Sequence, residues 1–205
     1  MDYGCKNQHD AGIRYDQENN IVECYLKKLK ADGDAKYWHE SCNVESVCCG
    51  IEGVGGRWKI KKNRWEGYGD VMWNFTNSPF TQKELPVGNG SSPGNEYMKN
   101  LAYIAMLFAD VEAKVYEYHN SADIDKHMEE MLRRGSAVVF SYTPTLGGGG
   151  HYNCIVTYRD TADLFLGHDP WKGCPHCKNG GLFEKYTREY LQERCRPRLL
   201  EIGKK

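Results

Sequence analysis

A cysteine stands at the start of a helical pattern of apolar residues, where its thiol could act as a nucleophile. The segment SCNVES covers residues 41–46, and the apolar positions after Cys42 recur at the spacing of one helical face. Ser41 is a good N-cap, because its hydroxyl can accept from the free amides of the first turn. Those amides and the helix dipole favour a thiolate, the nucleophilic form of cysteine. The pattern therefore predicts a helix that begins near Ser41 and ends at Gly50 or Gly53.

A thiolate nucleophile needs an imidazole partner, and a histidine follows a run of four glycines. His151 opens the strand-like segment HYNCIVTY, and the turn RDTAD leads into a second strand-like segment, DLFLGHD. With the turn centred near Asp160, an antiparallel hairpin places His151 opposite Asp169. Opposed side chains have Cβ atoms about 5 Å apart, so the carboxylate could orient the imidazole. A one-residue slip would bring His168 or Pro170 to that position instead.

These segments together resemble the C39-like branch of the papain-fold cysteine peptidases. In that family a cysteine opens a helix, a Gly-Gly-His begins a strand, and an Asp-Pro follows the next strand. The corresponding segments here are SCNVES, GGGGHYNCIVTYRD and LFLGHDPW. The resemblance implies that Cys42 is the nucleophile, His151 the general base and Asp169 the group that orients His151. The segment DQENN is similar to the family's upstream glutamine segment, which implies that Gln17 is an oxyanion donor, with Gln8 as the alternative.

Two features depart from the family pattern. The usual Cys-Gly-Pro is Cys-Asn-Val here, and the spacing from Gln17 to Cys42 leaves room for an insertion around residues 20–37. The resemblance covers the glutamine segment, the cysteine helix and most of residues 96–171. It does not extend to residues 53–95 or to the tail after Trp171.

The order of the predicted elements implies an α+β fold. Helical patterns come first, beginning with a short amphipathic helix over residues 19–30, and strand-like segments follow them, which is typical of helices packed on an antiparallel sheet. Together with the resemblance, this order predicts a papain-like fold in a single domain over residues 1–205. A glycine- and tryptophan-rich insertion at about residues 53–95 is expected to form loops with short helical turns.

The aromatic residues of this insertion have two interpretations. Trp58, Trp65, Tyr68 and Trp73 could line a groove for a peptide or a sugar, but their spacing follows no clear period. Burial dominates the energetics of aromatic side chains, so the core is the favoured location.

Nine cysteines form a second group of candidate functional residues. The segment GCPHCKNGG contains Cys174 and Cys177 in a C-x-x-C pattern, which is half of a zinc site. The missing ligands could be Cys195, Cys5 or Cys24, because a structural zinc needs four ligands. Reduced thiols in a loop are the alternative interpretation. The catalysis described above requires no cofactor.

The net charge and hydropathy of the sequence limit the kinds of partner that this protein is expected to bind. The formal net charge is -1 and no lysine or arginine cluster occurs, so neither nucleic acid nor an anionic lipid surface is expected as a partner. No apolar run reaches the length of a transmembrane helix, and the opening MDYGCKNQHD lacks the apolar stretch of a signal peptide. We therefore expect synthesis in the cytoplasm without membrane insertion.

The favoured function is hydrolysis of an amide bond by a cysteine peptidase. A small chain without a signal peptide resembles phage or prophage lysis enzymes of the endolysin type. That resemblance implies a peptidoglycan stem peptide as substrate and action on the cell wall after release. The alternatives are a general or leader-peptide protease, a papain-fold acyltransferase that uses the same residues, and a non-catalytic zinc-binding module.

Overall fold

The computed structural model describes residues 13–16, 21–24, 42–60, 68–76, 78–88, 95–143, 150–170 and 184–205. Six α-helices and nine strands lie in these stretches. Several residues singled out in the sequence lie outside them, namely Cys5, Gln8, Gln17, Ser41, Trp65, Cys174 and Cys177.

Most helices precede the main run of strands along the chain. The helices are α1 (Cys42–Gly53), α2 (Tyr68–Thr76), α3 (Pro79–Glu84), α4 (Asn95–Phe108), α5 (Ile124–Arg133) and α6 (Arg188–Arg194). The strands are β1 (Ile13–Asp16), β2 (Ile21–Cys24), β3 (Arg57–Trp58), β4 (Ala109–Glu117), β5 (Ala137–Tyr142), β6 (His151–Arg159), β7 (Leu164–His168), β8 (Glu184–Tyr186) and β9 (Cys195–Lys204).

A seven-stranded antiparallel sheet organises the described residues. Its strand order is β3-β4-β9-β5-β6-β7-β8, and β1 pairs with β2 in a separate hairpin. The central strand β5 is buried at every residue, which requires packing on both of its faces. The predicted α+β fold, with helices packed on an antiparallel sheet, is therefore confirmed.

Two hydrophobic clusters cover the two faces of this sheet. Consecutive side chains of a strand point to opposite faces, and Val139 belongs to one cluster while Val138 and Phe140 belong to the other. The first cluster, here called the α1 cluster, joins the sheet to α1, α2 and α4. The second, the α5 cluster, joins it to α5 and α6.

Helix α1 lies at the centre of the α1 cluster. Every residue from Cys42 to Ile51 is buried, although the sequence predicts only one apolar face. Close packing explains the difference, because a Cβ atom on Gly50 would lie 2.7 Å from the Ile202 side chain of β9. The predicted helix and its end at Gly53 are confirmed.

The insertion predicted at residues 53–95 contributes to the core. Helices α2 and α3 lie within it, and Trp73 is 6% exposed in the α1 cluster. Trp58 packs against the same cluster and stacks on Tyr68, with ring centroids 4.2 Å apart. The interpretation as core is confirmed for Trp73, whereas Trp58 and Tyr68 are half-buried at the edge of this cluster and Trp65 lies outside the described residues.

The helix predicted over residues 19–30 is wrong where the structure describes that segment. Ile21–Cys24 forms β2, and Ile21 and Val22 pair with Asp16 and Tyr15 of β1. Both residues are β-branched, and such side chains fit a strand better than a helix. The helical spacing of the apolar residues was the weaker signal here.

The hairpin of β6 and β7 exists, but its register differs from the predicted one. Arg159 pairs with Leu164 across a short 3-10 turn, so the turn is centred beyond Asp160. A bulge between Ile155 and Thr157 then shifts the partners back by one residue, and Ile155 pairs with Gly167. The prediction was therefore wrong by two residues along β6.

A shift of two residues leaves every side chain on its original face, because the period of a strand is two. Cys154 pairs with His168, and continuing this register places Asp169 opposite Asn153 rather than opposite His151. His151 and Asp169 thus become diagonal neighbours on one face, still within reach of long side chains.

Two arginines connect α5 and α6 to the hairpin turn, because Arg133 of α5 pairs with Asp160 and Arg188 of α6 pairs with Asp163. Arg188 of α6 contacts Asp125 Oδ2 at 3.0 Å, Glu129 Oε2 at 2.5 Å and Asp163 Oδ1 at 2.8 Å. These carboxylates belong to α5 and to the turn after β6, so one guanidinium holds three parts of the fold together. None of the helices in the described stretches has the length and apolar character needed to cross a membrane.

Candidate active site

Cys42 is the first residue of α1, as the sequence predicts, and it is 3% exposed. The neighbouring Asn43 connects the beginning of the helix to the segment before α4. Its Nδ2 donates to the carbonyl oxygens of Val87 at 3.3 Å and Gly88 at 3.0 Å, while its Oδ1 accepts from Val44 N at 2.8 Å. The asparagine that departs from the family's Cys-Gly-Pro therefore satisfies one free amide of the first turn and anchors the helix start.

His151 and Asp169 form a buried pair at one end of the sheet. His151 is the first residue of β6, and Asp169 directly follows β7. His151 Nε2 lies 2.7 Å from Asp169 Oδ1, with the two side chains 5% and 1% exposed. This contact is the one that the hairpin prediction requires, although it forms along the diagonal. It leaves Nδ1 of His151 for a different partner.

Cys42 is the second side chain that interacts with this imidazole. Burial lowers the pKa of His151, but the negative charge of Cys42 and side-chain hydrogen bonds with Asp169 and Cys42 outweigh burial and raise the pKa from 6.5 to about 10. A raised pKa means that the imidazolium form of His151 is favoured near pH 7. Burial and the charge of Cys42 also raise the pKa of Tyr152, the next residue of β6. The structure thus brings Cys42, His151 and Asp169 together.

The two faces of the sheet contribute differently to this arrangement. Cys42, Tyr152 and Cys154 belong to the α1 cluster on one face of the sheet. His151 and Asn153 alternate with Tyr152 and Cys154 along β6, so their strand positions lie on the opposite face. His151 is the first residue of β6, where the sheet ends. Its ring can therefore interact both with Asp169 on its own face and with Cys42, which begins α1 on the opposite face.

Two residues at this site were not singled out in the sequence. Tyr142 OH donates to Asp169 Oδ2 at 3.2 Å, and Asn153 Nδ2 donates to the same oxygen at 3.4 Å. Asn153 was accessible to sequence reasoning, because it lies two positions after His151 on the same strand face. Tyr142 was not, because its pairing with His151 depends on the register between β5 and β6.

The neighbouring histidine is chemically different. His168 lies on the opposite face from Asp169 and is 1% exposed. Burial lowers the pKa of His168 to about 4, so this ring is neutral near pH 7. The one-residue slip that would have replaced Asp169 with His168 does not occur in the hairpin.

Cys48, Cys49, Cys154 and Cys195 are buried like Cys42. Cys48 and Cys49 are buried within α1, and the Cys48 Sγ lies 3.3 Å from Met72 Sδ. Burial raises the pKa of Cys154 and of Cys195, so these thiols stay protonated at neutral pH. Neither has the position at a helix start that Cys42 occupies.

The predicted zinc site and oxyanion donor are not described by the structure. Gln17, Cys174 and Cys177 lie outside the described residues, and Cys195 is a buried thiol in β9. Within the stretches that the structure covers, no three histidine, cysteine or acidic side chains are grouped so that they could hold a metal ion.

Comparisons with known proteins give the following matches. A sequence profile described as the Peptidase_C39 like family matches residues 60–196. The match includes His151 and Asp169 and most of the segment 53–95, and it begins after Cys42. One matching solved structure is the peptidase domain of Streptococcus ComA, a bifunctional ABC transporter involved in a quorum-sensing pathway. It is 10% identical with a TM-score of 0.49, over 82% of this chain and 93% of that chain. No curated protein sequence matches significantly.

Proposed function

This chain belongs to the Peptidase_C39 like family, and we propose that it is a cysteine peptidase with Cys42, His151 and Asp169 as its catalytic triad. The observation that carries the proposal is the environment of His151. Its Nε2 lies 2.7 Å from Asp169 Oδ1, and its ring also hydrogen-bonds Cys42. A nucleophile, a base and a group that orients the base are the three parts that thiol catalysis needs.

The chemistry follows from these positions. The Cys42 thiolate attacks the carbonyl carbon of an amide, and the tetrahedral intermediate carries the negative charge on oxygen. His151 donates its Nδ1 proton to the amide nitrogen as the C–N bond breaks, which releases an amine and leaves a thioester on Cys42. His151 then takes a proton from water, and the resulting hydroxide attacks the thioester carbonyl carbon. The C–S bond breaks, which releases the carboxylic acid and restores the Cys42 thiolate. Asp169 holds Nε2 through both steps.

We also propose Gln17 as the side-chain donor to the oxyanion, with Gln8 as the alternative. The family resemblance of DQENN supports this role. An amide N–H stabilises charge that develops only in the transition state, which is why such donors matter for catalysis.

For the substrate, we propose a stem peptide of peptidoglycan. The resemblance to endolysin-type enzymes supports this choice, and it implies that the protein acts on the cell wall after release. Cys174 and Cys177 are proposed either as half of a structural zinc site or as reduced thiols. The metal content of the purified protein distinguishes these two states.

The test of the proposed function uses purified peptidoglycan. The wild-type protein should release fragments with new amine and carboxyl ends, detected by mass spectrometry. Cys42→Ala should lower the rate by roughly a thousand-fold or more, as is usual when a nucleophile is removed. Cys48→Ala is the matched control, because it removes a buried thiol from the same helix that is not among the groups shifting the pKa of His151.

Parallel incubations separate the alternatives. Cleavage of casein or of a leader peptide, with intact peptidoglycan, would replace the wall substrate with a general or leader-peptide protease. Transfer of the acyl group to an added amine would identify an acyltransferase. Equal rates for the wild type and Cys42→Ala on every substrate would contradict the peptidase mechanism itself.

A further inference from the structure

We propose that Tyr142 and Asn153 are positioning residues that hold the Asp169 carboxylate against His151. This inference rests on the proposed function, because it assigns both residues to the same catalytic pair. The carboxylate uses Oδ1 for His151, and both proposed donors meet its second oxygen, Oδ2.

The direction of these hydrogen bonds follows from chemistry. An ionised carboxylate only accepts, so the Tyr142 hydroxyl and the Asn153 amide nitrogen must donate to it. The same Asn153 Nδ2 also hydrogen-bonds Tyr186 OH, and its two protons suffice for both partners. Turning the amide round would place its oxygen against the carboxylate, which is repulsive. The orientation of Asn153 is therefore determined by Asp169.

Burial makes these donors necessary. Asp169 is 2% exposed, and an ionised carboxylate out of water is costly unless its oxygens are hydrogen-bonded. His151 satisfies only Oδ1. Without Tyr142 and Asn153, the carboxylate would lose two contacts that restrict its rotation, and the imidazole would have a less firmly held partner for Nε2.

The sheet supplies both donors from rigid positions. Tyr142 pairs directly with His151 across β5 and β6, and its ring packs edge-on to the imidazole at 5.5 Å between centroids. Asn153 follows His151 on the same strand face, opposite Asp169 when the register of the hairpin is continued. Groups on strands hold a catalytic geometry more closely than groups on loops.

A buried tyrosine hydroxyl needs some partner, so a purely structural role is the competing explanation. The structural role and the positioning role differ in what removal of the Tyr142 hydroxyl changes. A structural hydroxyl affects stability alone, whereas a positioning hydroxyl affects the bond between His151 and Asp169.

The experiment is Tyr142→Phe, with Asn153→Ala as the second variant. We expect kcat to fall about tenfold with KM unchanged, as expected when a hydrogen bond to a charged group is lost. In proton NMR, the downfield resonance of the His151 N–H that faces Asp169 should move upfield and broaden through faster exchange with water. Tyr190→Phe is the matched control, since its ring lies 6.0 Å from that of Tyr142 in the same aromatic cluster.

Several outcomes would overturn the proposal. One is an unchanged kcat and an unchanged resonance in both variants, and another is an equal effect in Tyr190→Phe. Loss of the fold in both variants would also overturn it, because it would show a packing role. The resonance needs no substrate, so it tests the positioning role even if Cys42→Ala contradicts the peptidase.

Discussion

At the scale of single residues, the ionisation of His151 controls the proposed chemistry. The ring is buried, which by itself favours the neutral form, but Cys42 and Asp169 supply negative charge and hydrogen bonds on two sides. The pKa therefore lies above the usual 6.5, at about 10. The imidazolium form is needed to protonate the leaving amine.

The first prediction concerns the pH profile of kcat/KM. Because the pKa of His151 is raised, the imidazolium persists as the pH rises and is lost only near pH 10, which places the alkaline limb there. Asp169→Asn removes a hydrogen bond and a negative charge that raise this pKa, so its alkaline limb should move to lower pH. Alkylation of Cys42 by iodoacetamide consumes the thiolate and needs no proton donor, so its rate should not fall through this alkaline limb. A wild-type alkaline limb between pH 6 and 7 would contradict this assignment.

At the scale of secondary-structure elements, the close approach of β6 and β7 positions Asp169. A Cβ atom on Gly167 would lie 2.6 Å from the carbonyl oxygen of Cys154, a backbone atom that cannot move aside. Asp169 follows two residues later. Any displacement of β7 from β6 at Gly167 is therefore transmitted to the carboxylate.

A glycine-to-alanine pair tests this dependence. Gly167→Ala should lower the free energy of unfolding by about 1–3 kcal/mol, the usual effect of overpacking, and should also lower kcat. In Gly203→Ala the new methyl meets nothing closer than Ser136 Oγ at 3.5 Å, so stability and kcat should change little. Urea denaturation and steady-state kinetics measure the two effects. Equal destabilisation by both substitutions would show that the contact with Cys154 is not the cause.

At the scale of the whole molecule, the candidate site lies where the two hydrophobic clusters meet at one end of the sheet. Cys42 comes from the α1 cluster, and Tyr142 comes from the α5 cluster. Movement of α1 on the sheet would separate the thiol from His151, and movement within the α5 cluster would displace Tyr142 from Asp169. The proposed catalysis therefore depends in part on how firmly the α5 cluster is attached to the hairpin.

Arg188 provides a test of that attachment. Asp125 is 2% exposed in its side chain and would keep only its contact with Gln192 if Arg188 were removed. Arg188→Ala should lower the free energy of unfolding by about 1–3 kcal/mol, because hydrogen bonds to charged groups are lost in a partly buried site. Arg57→Ala breaks an exposed ion pair with Asp110 and serves as the control, with little expected effect. Similar unfolding curves for both variants would contradict the role given to Arg188.

Local patterns were enough to predict several parts of this architecture. Helix α1 and its end at Gly53 follow from apolar spacing and a terminal glycine, and the strands β6 and β7 follow from β-branched and aromatic composition. The short helix predicted at residues 19–30 failed, since β-branched residues in a short segment prefer strand pairing. Such local signals weaken when a segment is too short to show its period.

By itself, the sequence determined that Cys42 begins a helix and that His151 and Asp169 share one face of a hairpin, because helix and strand periods are local properties. Only the tertiary structure decided the two-residue shift in register, the meeting of Cys42 with His151, and the two donors on Asp169 Oδ2. Those features depend on the turn, the bulge and the packing of α1 on the sheet. Each of them joins residues that are distant in the chain, so no local pattern specifies them.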